Sequence, residues 1–125
     1  MREKSPEEIF AEVREDVELL SAPAEKQERW LEQHRVLVDE MALQLNDDVQ
    51  VLFPRLTREG LLDELAKQAI AEIDAFFSTL GGRENAVLWT EEALYAEAVW
   101  SHIRDLARVA LEKLDGPHLR QGGLV

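Results

Sequence analysis

Four times along this chain, apolar residues return every three or four positions. That spacing puts them on one side of an α-helix and scatters them over both faces of a strand. Only the short stretch Val49-Gln50-Val51-Leu52-Phe53 alternates as a strand does, and it is too short to seed a sheet. The pattern therefore predicts an all-α chain. Its Pro and Gly residues cut the sequence into four segments, near 5–20, 22–52, 57–80 and 90–115. Short connections between such segments predict an antiparallel four-helix bundle, one domain spanning 1–125.

The ends of the segments carry their own signals. Ser5-Pro6 followed by Glu8 reads as a capping box with proline in the first turn, ahead of Ile9, Phe10, Val13, Val17 and Leu20. The second segment shows Trp30, Leu31, Leu37, Val38, Met41 and Leu45, and its stripe can be carried through Val49 and Leu52. Asn46, Asp47 and Asp48 are weak helix formers, and Phe53 precedes Pro54. Helix two is therefore expected either to run on to about 52 or to break near 46–48. Thr57 is the expected N-cap of the third segment, which Gly81 and Gly82 close; Thr90 is the expected N-cap of the fourth, stopped at Gly116 and Pro117. Residues 116–125 read as a mobile tail. The fourth segment has the widest apolar arc and is expected at the centre; the first has the narrowest and is expected at the periphery.

Length and balance narrow the class. At 125 residues, with 46% apolar and 32% charged residues, the chain suits a single small core. No apolar run approaches a membrane span, and the charged start MREKSPEEIF lacks a signal-peptide core, so a cytoplasmic protein is expected. With no cysteine there is no disulfide, thiolate metal site or thiol nucleophile. A net charge of −12, from 26 acids against 14 Lys and Arg, repels phosphate backbones and favours a partner with a basic patch. Neither nucleic acid nor membrane is expected as a partner.

Polar machinery is sparse. His34 projects into the middle of the second stripe and needs a partner for its N–H; Asp16, Asp74 and Asp105 each sit at the edge of an apolar arc and could supply one. His102 lies at the border of the fourth arc with Asp105 three residues on. His34, His102 and Asp105 are the candidate metal or catalytic groups. No Glu-x-x-His, His-Glu-x-x-His, phosphate-binding Gly loop or Gly-x-Ser-x-Gly elbow accompanies them. No cofactor and no catalytic set is expected.

Two other groups draw notice. A pocket between helices two and four would be lined by Trp30, His34, Met41, Tyr95, Trp100 and Leu106. Val36, Leu43, Val87, Leu88 and Trp89 are apolar residues that the stripes leave unused, which points to self-association. The leading expectation is a non-catalytic protein-binding module that forms a homodimer. A ligand-binding bundle with a pocket near His34, and a metalloprotein or enzyme using His34 and His102, are the alternatives.

Overall fold

The computed structural model describes the backbone of residues 4–123. Among them are seven α-helices and no strand: α1 (Pro6–Ser21), α2 (Ala24–His34), α3 (Asp39–Asp47), α4 (Phe53–Arg58), α5 (Glu64–Ser78), α6 (Glu91–Ala96) and α7 (Ala98–Gly123). A π-helical turn, Asp48–Leu52, joins α3 to α4, and a 3-10 segment, Arg83–Trp89, leads into α6. The chain is thus an all-α helical bundle, with more and shorter helices than the four expected.

Its centre is nevertheless four-cornered. Helix α7 packs on α1 and α5, and α3 packs on the same two, so these four close a ring around the core. The inward residues of α1 are Ile9, Val13, Val17 and Leu20; those of α5 are Ala66, Ile70, Ile73 and Phe77. On α7 the seam is Trp100, Ile103, Ala107, Ala110 and Leu114, all buried. The two alanines let neighbouring backbones come close, while Val109 is 47% exposed. Helix α1 is not peripheral: it also touches α2 and α4, and Arg14 locks it to α7 by a two-pronged bond to Asp115 at 2.9 and 2.8 Å.

Helix two breaks, but at Arg35 rather than at 46–48. Arg35 takes a left-handed conformation with φ of 55°, and Val36 N–H donates to Leu31 O while Arg35 N–H donates to Glu32 O. That is a Schellman ending built without glycine. It turns α2 off the ring, where it pairs with α6. Beyond it, the Asn46-Asp47-Asp48 run does not stop the helix. The π turn absorbs one extra residue there, and Phe53 N–H donates to Asp48 O. Pro54 then follows without stranding a donor, because it has no N–H to satisfy.

The third segment also starts later than expected. Thr57 lies inside α4; Gly60 (φ 73°) and Leu61 close that helix onto Thr57 O and Leu56 O, and Asp63 caps α5 by accepting from Ala66 N–H at 2.9 Å. The fourth segment is divided by Glu97, whose extended backbone (ψ 131°) separates α6 from α7. Helix α7 continues past Gly116 and Pro117 to Gly123, where a stop and a tail were expected; residues 124–125 lie outside the described part. The caps at Ser5 and Thr90 form as read.

Candidate functional site

In the buried stripe of α3 and α4, the residues facing the core are Met41, Leu45, Asp48, Phe53 and Leu56. The gap of five between Asp48 and Phe53 is the π turn, which returns Phe53 to the core after Asp48. Asp48 is 5% exposed. Asp16 sits half-buried on α1 beside Val17, and it lines the same depression as Asp48.

Burial and the neighbouring acid explain why Asp48 keeps a proton. Removal from water is the larger cause, followed by the Asp16 hydrogen bond and the charges of Asp16, Glu12 and Asp47; together they push Asp48 up to about 9. Asp16 is raised too, by burial first. Asp48 is therefore held protonated at neutral pH. Oδ2 of Asp48 is buried without a hydrogen-bond partner among the described residues. Such an atom costs free energy that the surrounding packing must offset.

The pair forms the floor of a depression of about 290 Å³ lined by Glu12, Glu15, Asp16, Gln44, Asp47 and Asp48. Among the described residues no Lys or Arg lines it. Lys4 pairs with Glu12 of its lining, and Arg14 turns to Asp115 and Glu18. Asp16 and Glu15 also line a larger open groove of about 700 Å³ between α1 and α2, with Glu18, Leu19, Pro23 and Trp30. Its α2 edge carries Lys26 and Arg29, so the larger groove is mixed in charge and the smaller depression is purely acidic.

Comparisons with protein-family models, with curated proteins and with solved structures find no match. The residues' own geometry carries the functional argument.

A second acidic set lies on the α2–α6 pair. One carboxylate oxygen from each of Glu28, Glu32 and Glu91 falls within 4.8 Å of the others, the spacing that can hold a cation. Tyr95 donates to Glu28 Oε1 at 2.8 Å, and Glu91 is raised chiefly by its hydrogen bond to Glu28. Glu32 is exposed and Glu28 and Glu91 are partly so.

The residues singled out from the sequence are dispersed. His34 is exposed, not in the middle of a buried stripe, because the turn at Arg35 ends α2 and removes its expected neighbours. Its ring stacks on Trp30 at 4.4 Å, and its Nδ1 lies 2.9 Å from Trp30 O. His102 is exposed on α7 with its ring edge-to-face on Phe76 of α5 at 4.9 Å, and Asp105 accepts from Arg108. The two histidines thus have separate neighbours on different helices. Asp16, one of the three acids offered to His34, faces Asp48 instead, and Asp74 accepts from Asn46.

Of the expected pocket lining, Met41 and Trp100 are packed in the core at 1% exposure, Leu106 is half-buried, Tyr95 is on the surface, and Trp30 lines the mixed groove. Of the unused apolar residues, Leu43 and Val87 stand exposed, at 54% and 65%. Val36, Leu88 and Trp89 pack against the core. The Trp89 indole donates to Leu80 O at 2.9 Å and stands perpendicular to Trp100, pinning the 3-10 segment over the end of α5.

Asp48 escaped the sequence reading. Its composition marks it as a weak helix former, although it falls three residues after Leu45 in the stripe. An acid at a core-facing register was the available signal.

Proposed function

We propose that this protein is a non-catalytic cytoplasmic binding module whose acidic α1–α3 face docks a basic segment of another protein. The observation that carries this is the depression over Asp48: five acids and one glutamine line it, and among the described residues no Lys or Arg does. A net charge of −12 adds long-range attraction for a basic partner. The adjoining Leu19, Pro23 and Trp30 offer apolar surface to a segment passing beside the acids.

The test uses a short arginine–serine repeat peptide and fluorescence anisotropy. Binding should weaken steeply with salt, and Glu15→Lys, at the junction of both grooves, should weaken it about tenfold. Affinity indifferent to both salt and Glu15→Lys would sink the reading.

A second reading, homodimerisation, is favoured by Leu43 (54% exposed) and Val51 (65% exposed) on the one continuous helical stretch from α3 into α4. Val36 borders this stretch, while Val87, Leu88 and Trp89 would form a separate contact on the 3-10 segment. Light scattering should then show a mass that rises with concentration, and Leu43→Glu should return it to the monomer value; a constant monomer mass for the parent chain refutes the dimer.

A further inference from the structure

Where the π turn and α4 meet α5 there is a groove whose chemistry is the reverse of the acidic face. We propose that it is a second binding site, for a small anionic amphiphile: a short apolar body ending in one carboxylate. The site is independent of the docking reading above.

The floor is apolar, with Val49 from the π turn, Phe53 and Pro54 from α4 and Ala71 from α5. The rest of the lining is Thr57, Arg58 and Lys67, all hydrogen-bond donors. Among the described residues no acid lines it, in a chain with 26 acids against 14 Lys and Arg. The three donors are also unpartnered. Thr57, expected as an N-cap, lies inside α4 because Asp63 caps α5 instead, and its hydroxyl makes no hydrogen bond among the described residues. Neither exposed Arg58 nor half-buried Lys67 pairs with an acid there.

Size and charge together select the ligand. A volume of about 420 Å³ falls in the range of small-molecule sites. Helix α4 has six residues and is about 9 Å long, whereas a stable protein interface takes about 800 Å² from each partner. A net charge of −12 opposes an extended anionic surface, whether an acidic domain or an anionic membrane. That repulsion is screened over about 8 Å at physiological salt, so one carboxylate at the Arg58–Lys67 rim feels chiefly those two cations. A cationic molecule is repelled by the rim, and a neutral apolar one gives its donors nothing. A carboxylate supplies acceptors to the rim while its chain covers the floor.

The experiment follows the backbone amide resonances of the full chain as decanoate is added below its micelle concentration. Saturable shifts should gather at Val49, Phe53, Thr57, Arg58, Lys67 and Ala71. Decanol should bind about tenfold more weakly, and decyltrimethylammonium should not bind. Arg58→Gln and Lys67→Gln lie where solvent reaches and should fold; together they should weaken decanoate about tenfold and leave decanol unchanged. Ala71→Leu, at an exposed helical position, should fold and remove binding of both by filling the floor. Scattered or non-saturable shifts, equal affinity for decanol, decanoate binding indifferent to loss of both cations, or binding that survives Ala71→Leu overturns the site. So does binding to phosphatidylglycerol vesicles or to an acidic amphipathic peptide without binding of free decanoate.

Discussion

The two carboxylate clusters use the same chemistry and end in different states. Around Asp48, an acid three residues past Leu45 falls in the core register beside a second acid; burial is the first cause of its raised pKa. Around Glu91, three acids from α2 and α6 crowd together where water reaches them, and the neighbour's hydrogen bond is the first cause. The difference teaches that depth, not the number of carboxylates, separates a site from a charged surface. With 26 acids in the chain, acidic neighbours are unavoidable; a buried one with an unpaired oxygen is not.

The sharpest way to break the comparison is to remove the charge from each cluster in turn. Asp48 is held protonated in the folded chain up to about pH 9, whereas in the unfolded chain it ionises near pH 4. Between those limits the folded state binds one more proton than the unfolded state. Stability is therefore lost as pH rises through that window, by up to roughly 1 kcal/mol per pH unit from this group. Asp48→Asn should flatten that slope and gain up to about 3 kcal/mol over the parent between pH 5 and pH 8, read from urea unfolding at each pH. A parent chain equally stable at both pH values would show that Asp48 is not held neutral.

A smaller effect should come from loosening what carries the second cluster. Gln27 is fully buried on α2; its amide donates to Leu19 O and Leu20 O, and its oxygen accepts from Arg104, which also donates to Leu94 O. This network ties α2, α6 and α7 to the end of α1. Gln27→Leu should cost about 2 kcal/mol, because it strands one Arg104 donor and the carbonyls at the end of α1. Hydrogen exchange should speed in α2 and α6 while the ring of α1, α3, α5 and α7 stays protected. Uniform acceleration would mean that the two regions unfold as one.

The smallest effect is expected from Glu91→Gln. Its carboxyl group is raised by Glu28 but stands in solvent, so the unfolding midpoint at neutral pH should not move measurably. A clear shift would show the exposed cluster to be as consequential as the buried one.

How far the sequence could be read differs between the parts of the chain. The caps at Ser5 and Thr90, and the stripes of α1, α5 and α7, were legible because caps and periodicity are local. The break at Arg35 was not, since an arginine in the left-handed region carries no compositional mark; a glycine there would have announced it. The continuation through Asp48 was misread for the opposite reason. Asn-Asp-Asp and a proline look like a stop, and only packing of Leu45 and Phe53 on one core explains why the helix persists with a π turn. The histidines misled because a helix projected past its true end put His34 among neighbours it does not have.

By itself, the sequence determined that this chain is all-α, strongly acidic and without cysteine, and where two of its helices begin. Those properties follow from spacing, composition and side chains that bond within a turn of themselves. Tertiary structure alone decided that Asp16 and Asp48, 32 positions apart, meet at one acid-lined depression. Crowding and burying acids costs free energy locally, and the packing of the surrounding helices offsets it.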